Sequence, residues 1–241
     1  INDPAEKMKA IFDYVKANVE WNKFIDKIPD RSFKKVLEDK KGSTSEINLM
    51  LVSMLQKAGL AAEPVLLSTR DHGRIRPFVP MFSQFNDVIC AVSIGEKTFL
   101  LDATDRDLPM HALPKRCLNG EGLVVSKDNS RWLPLIAAKS KTVVSSTLKL
   151  DSEGLLTGEL KIARDGNDAS SMRKSFSQLG QQEYIANAFS GKTISIEKSN
   201  FENLANPNES VKEIHQINLA DHIQIAGSVM YLNPYLLGNL T

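Results

Sequence analysis

The chain has almost no charge imbalance: 30 Lys and Arg face 29 Asp and Glu, a net charge of +1. No long run of one sign occurs, so an electrostatic nucleic-acid surface, which needs clustered Lys and Arg, is not expected. No apolar run approaches the ~20 residues that a membrane-spanning helix needs. Only two cysteines are present, Cys90 and Cys117, too few for a disulfide framework or a cysteine-rich zinc site. Four histidines, His72, His111, His215 and His222, show no metal-ligand spacing, so no metal and no cofactor are expected. The chain opens on Ile1, without an initiator Met and with no signal-like apolar stretch; it is read as a fragment, which leaves a removed signal peptide open. What remains is a globular composition, 42% hydrophobic and 24% charged, over 241 residues, enough for one large or two ordinary domains.

The most organised stretch is Lys41 to Gly59, KGSTSEINLMLVSMLQKAG. Ser43 and Glu46 have the spacing of a capping box. Ile47, Met50, Leu51, Met54, Leu55 and Ala58 fall on one helical face, and Gly59 supplies a left-handed stop. The N-terminus of such a helix presents free backbone N–H groups, a seat for a nucleophile or an anion. Ser43, Thr44 and Ser45 occupy it. A first helix is expected over Pro4–Asn18, with Met8, Ile11, Phe12 and Val15 as its buried stripe, and a short one around Ser32–Asp39.

After Gly59 the pattern becomes that of strands. These are Glu63–Thr69, with Pro64 confined to the strand start, Phe85–Ile94, Thr98–Asp102, Gly122–Ser126 and Arg131–Ile136. Residues 70–84, RDHGRIRPFVPMFSQ, form a loop broken by Gly73, Pro77 and Pro80; Arg70, His72, Arg74 and Arg76 make it basic, with contact to an acidic or carbohydrate ligand as its functional alternative. Near residue 140 the character shifts. A hairpin over Val143–Leu150 and Leu155–Ala163 precedes a helix over Ala169–Phe189 and strands at Thr193–Ser199, Val211–Leu219 and Ile223–Leu232. The expected organisation is an α+β domain over residues 1–140 and a β-rich, sandwich-like and incomplete domain over 141–241.

Together these pieces resemble the transglutaminase-like superfamily, a papain-like fold. The family pattern is a helix opening G-x-C-x-D/E, a strand that brings a histidine and a following strand that ends in an aspartate. Here the helix opens Gly42-Ser43-Thr44-Ser45-Glu46, the next strand reads Phe85-Asn86-Asp87-Val88-Ile89, and the last ends Leu100-Leu101-Asp102-Ala103-Thr104. MLQKAGLAAEP over Met54–Pro64, and the first helix with VEWN behind it, also resemble the family; the likeness covers roughly residues 4–136. Residues 142–241 resemble the β-rich module that follows this domain in secreted proteins of Bacteroides-type bacteria, which implies a periplasmic or cell-surface location. Another β-rich module usually precedes it there.

The resemblance implies a cysteine–histidine–aspartate triad, and two of its members are replaced. Thr44 stands at the cysteine position (Ser43 if the register slips by one), Asp87 at the histidine position, and Asp102 alone matches. A hydroxyl without a base is a poor nucleophile, and an aspartate near its ordinary pKa is a weak base. The expected function is therefore that of a pseudoenzyme, a binding or structural module of a larger secreted or periplasmic protein. Its groove would be lined by Trp21, Ser43, Thr44, Asp87 and Asp102, its ligand a peptide or carbohydrate, and its partner the β-rich domain of the same chain. The alternative is a peptidase or amidase that recruits Ser43 or Thr44, with His111, His72 or Asp87 as base. If Asp87 and Asp102 face each other, one carboxyl should have a raised pKa. Cys90 is read as a buried inert thiol on the strand face opposite Asp87. Cys117 is read as a structural or incidental thiol, with a pKa lowered by Lys115 and Arg116 as its alternative.

Overall fold

The computed structural model describes residues 1–79, 81–136, 139–219, 223–227 and 229–232. The chain divides into two compact units, residues 1–138 and 139–241.

In the first unit, α1 (Pro4–Asn18) starts at an Asp3 cap and ends before β1 (Glu20–Trp21). α2 (Phe33–Asp39) is capped by Ser32 and followed by β2 (Lys41–Gly42), which pairs in parallel with β1. α3 (Thr44–Lys57) carries the full capping box: the Ser43 hydroxyl accepts from the Glu46 N–H, and the Glu46 carboxylate accepts from the Ser43 N–H. Arg31 adds two hydrogen bonds to that carboxylate, at 2.8 and 2.6 Å. Gly59, at φ +81°, turns the chain into β3.

Five antiparallel strands form the sheet, β3 (Ala61–Leu67), β4 (Asp87–Ile94), β5 (Lys97–Leu101), β6 (Glu121–Val124) and β7 (Arg131–Pro134), in the order β5-β4-β3-β6-β7. β3 begins two residues earlier than its pattern suggests, because Ala61 and Ala62 pair with Ser93 and Val92. Pro64 consequently lies inside the strand rather than at its start. Its carbonyl accepts from Val125 N–H, so its missing N–H is on the side of β6, where pairing with β3 begins only at Val65, and no bond to β4 is lost.

The alternation of β3 and β4 divides two cores. Ala62, Cys90 and Val92 meet the helices through Met8, Phe12, Ile47 and Leu51. Val65, Leu67, Ile89 and Ala91 meet Leu113, Cys117 and Val124 on the other face. Cys90 is fully buried, and burial alone pushes its thiol pKa up.

The second unit is built on a four-stranded antiparallel sheet of β8 (Thr142–Leu150), β9 (Leu156–Arg164), β10 (Ile194–Glu202) and β11 (Val211–Leu219), in the order β10-β11-β9-β8. α4 (Gly166–Ala188), kinked at Gly180, lies between β9 and β10 in sequence and packs Met172, Tyr184 and Ile185 into the core. β12 (Ile223–Ala226) and β13 (Val229–Leu232) form a separate hairpin, so the single strand expected over Ile223–Leu232 is two. His222 and the end of the chain lie outside the described residues.

Candidate functional site

α3, β4 and β5 carry the triad positions to one place. Thr44 opens α3, Asp87 opens β4 and Asp102 follows β5 directly. Asn48, one turn into α3 and fully buried, ties the three elements together. Its amide donates to the Val88 carbonyl (3.0 Å) and accepts from the Ala103 N–H (3.0 Å). It therefore fixes the backbone immediately after each aspartate against the helix.

The space between the aspartates is filled by a residue that the sequence pattern did not single out for this place. Arg116 donates from Nε to Asp87 (3.2 Å) and from a terminal nitrogen to Asp102 (2.6 Å) and to the Thr104 hydroxyl (3.0 Å). Its guanidinium also lies 4.7 Å from the ring centre of Trp21. Asp102 accepts further from the Thr104 N–H at 2.9 Å, a strand-end cap. Asp87 is fully buried and Asp102 nearly so. Burial pushes the Asp87 pKa up to about 6, Arg116 opposes the rise and Asp102 adds to it. The expected raised carboxyl is thus present, with an arginine between the pair. One signal pointed to Arg116: two buried carboxylates require a cation, and Arg116 lies in the segment that follows Asp102.

Cys117 is a buried thiol, and the alternative of an activated one fails. Its thiol is held well above the ordinary value, not below it, because burial and the Asp102 carboxylate outweigh Arg116. Sγ lies 3.5 Å from Asp102 as a hydrogen-bond donor.

The helix N-terminus is closed by residues 22–28. Thr44 N–H donates to the Phe24 carbonyl at 3.1 Å, and Trp21 Nε1 donates to the same carbonyl at 2.9 Å. The Thr44 hydroxyl donates to the Asp26 carbonyl (3.0 Å) and accepts from the Asp26 N–H (3.1 Å). Lys27 anchors the segment to the Phe85 carbonyl at 2.6 Å. A positive φ at Lys23 makes the turn. Thr44 is therefore fully buried, its hydroxyl bonded to the Asp26 backbone and sharing a side-chain hydrogen bond with Asp87. Ser43 is nearly buried, 3.0 Å from the Ser45 hydroxyl, and lines a cavity of about 560 Å³ with Phe24, Asp26 and Glu46. No imidazole or lysine amine bonds either hydroxyl among the described residues. His72 instead bonds Ser68 (2.9 Å), and His111 is exposed. His215 belongs to the second unit, where it bonds Ser199 at 2.7 Å.

Chemically, the cluster can hold charge, and the carboxylate beside the Thr44 hydroxyl, Asp87, is itself bound to Arg116. Among the described residues no group of three or more His, Cys, Asp or Glu is placed to hold a metal ion, and no helix is long and apolar enough to cross a membrane.

No curated protein matches the chain. A solved structure from Parabacteroides distasonis ATCC 8503, provisionally described as a protease, aligns with a TM-score of 0.41 at 12% identity, covering 91% of this chain and 46% of that one. The chain thus spans about half the length of that protein. The sequence profile of the transglutaminase-like superfamily matches residues 1–135, more than half of the chain, over the same elements that carry Thr44, Asp87 and Asp102. By that match, the chain belongs to the transglutaminase-like superfamily.

Proposed function

We propose that the transglutaminase-like domain of this chain is non-catalytic and works as a structural module of a larger protein, its former active-site positions now holding the fold together. The observation that carries this reading is Arg116, whose guanidinium bridges Asp87 and Asp102 where family chemistry needs an imidazole. Acyl transfer by a thiol needs a thiolate at the helix N-terminus and a proton carrier beside it. Thr44 offers a buried hydroxyl already hydrogen-bonded to the Asp26 backbone, and Asp87, its side-chain hydrogen-bond partner, is bound to an arginine. The N–H of Thr44, which would otherwise face a developing oxyanion, is taken by the Phe24 carbonyl.

The test is an activity screen of the whole chain for amine incorporation into glutamine peptides and for peptide and amide hydrolysis. Thr44→Ala and Ser43→Ala serve as paired controls. Expected is turnover no greater in the native chain than in either variant. Turnover that disappears in Thr44→Ala or Ser43→Ala overturns the proposal and restores the peptidase or amidase reading.

A further inference from the structure

The basic loop before β4 is not used by the site above. Arg70, Arg74 and Arg76 are all exposed, and none of the three is in an ion pair among the described residues. The loop is nonetheless held in place. The Asn119 amide donates to the carbonyls of Ser68 (3.1 Å), Thr69 (3.2 Å) and Gly73 (2.8 Å). The Gln84 side chain accepts from the Arg76 N–H (2.6 Å) and donates to the Val79 carbonyl. Arg70 Nε donates to the Leu118 carbonyl at 2.8 Å, which orients its guanidinium and leaves the terminal nitrogens uncommitted. Cations displayed on a pinned loop lose less freedom on binding than cations on a slack one.

Between this loop and the start of β6 lies a cavity of about 560 Å³, lined by Arg70, Arg74, Asn119, Glu121 and Trp132 among others. A second, of about 310 Å³, is lined by His72, Arg74, Arg76 and Gln84. Arg74 lines both. Trp132 is half-buried and steadied by a stack on Phe85, with ring centres 6.2 Å apart. Glu121 is exposed.

Each group selects part of a ligand. Guanidinium groups take carboxylates in paired hydrogen bonds. An indole offers an amphipathic platform for the apolar face of a ring. A carboxylate inside a basic cleft repels a pure polyanion but accepts hydrogen bonds from hydroxyls. An acidic peptide or a polyphosphate supplies the first feature but brings no sugar ring to Trp132 and no hydroxyl to Glu121. A net charge of +1 offers a nucleic acid little beyond these side chains. We infer that this face binds an acidic oligosaccharide, its carboxylates on Arg70, Arg74 and Arg76 and a sugar ring against Trp132. The inference is independent of any activity at the buried triad positions.

The experiment titrates the whole chain with a galacturonic acid hexamer at low salt, followed by tryptophan fluorescence and calorimetry. A neutral hexaose, hexaglutamate and a short single-stranded DNA serve as competitors. Expected is saturable binding that weakens at least about tenfold in Arg74→Ala and in Trp132→Ala, and competitors at least about tenfold weaker than the hexamer. Arg74 is solvent-exposed, so its loss leaves the fold intact; Trp132→Ala disturbs the Phe85 stack and is read alongside a melting curve. Absence of saturation, equal binding of hexaglutamate or DNA, or unchanged affinity in Arg74→Ala overturns the inference.

Discussion

Arg116 keeps two carboxylates, each at most 2% exposed, from facing one another unpaired. Breaking a buried pair by removing one partner typically costs about 3–5 kcal/mol, because the other charge stays buried. Arg116→Met should cost that much in urea unfolding. Arg116→Lys should lose about 1–3 kcal/mol, since one ammonium cannot hold both carboxylates and stack on Trp21. A loss below about 1 kcal/mol in Arg116→Met would show that the bridge contributes nothing. Asp87 tests the same bridge from the other side. Its pKa rises from 3.8 to about 6 on folding, so the folded state binds the proton more tightly. Its contribution to stability therefore falls as pH rises from about 4 to about 6, and above that window the ionised group carries a constant penalty. Asp87→Asn should then be more stable than the native chain at pH 7.5, by up to about 3 kcal/mol, with the advantage gone near pH 4. Melting curves across that range decide it, and an asparagine variant less stable at pH 7.5 would reverse the assignment.

Among the elements, α3 depends most on its cap. Glu46 closes the capping box and accepts two bonds from Arg31, whose side chain is about one-third exposed. Glu46→Ala removes both functions and should cost about 2–3 kcal/mol; Glu46→Gln keeps an acceptor for the Ser43 N–H and should cost about half of that. Equal losses in the two variants would assign the whole effect to the Arg31 charge. This helix was legible in the sequence because its cap, stripe and stop are local, and the family pattern set Thr44, Asp87 and Asp102 in register. The segment over residues 22–28 was not legible. It closes the helix through backbone carbonyls, which no residue type announces, and it turns on a positive φ at Lys23. Arg116 was hidden for a related reason: it comes from an irregular stretch without periodicity, and its partners lie 14 and 29 positions away. The segment also decides an engineering experiment. Thr44→Cys combined with Asp87→His restores two family residues but leaves the Phe24 and Asp26 carbonyls in place and sets the new imidazole beside Arg116. Iodoacetamide labelling at mildly acidic pH should stay slow; rapid labelling would mean that the segment opens in solution.

For the molecule as a whole, the two units should respond to acid in opposite directions. In the second unit His215 is fully buried on the inner face of β11, in contact with Ser199, Phe189 and Phe201. Glu213, Arg164 and Tyr184 are the charged or titratable groups of its cluster. Burial, with a smaller effect of Arg164, lowers its pKa from 6.5 to about 4, so it is neutral in the fold at neutral pH. The unfolded chain binds the proton more tightly, and stability is lost as pH falls from about 6.5 towards 4, on the order of 3 kcal/mol in full. Asp87 has the reverse sign in the first unit over nearly the same window. Glu46, whose pKa is lowered by Arg31, opposes Asp87 only near and below its ordinary value of 4.5, so a comparison between pH 7.5 and 5 avoids it. Trp21 and Trp132 are the only tryptophans, and both lie in the first unit, which gives that unit its own fluorescence signal. On going from pH 7.5 to 5, the tryptophan transition should move up in temperature or urea, and the remaining circular-dichroism transition should move down. His215→Gln keeps a partner for Ser199 and should flatten the second slope while leaving the first unchanged. A single transition moving the same way by both probes would show that other titrations dominate these two groups.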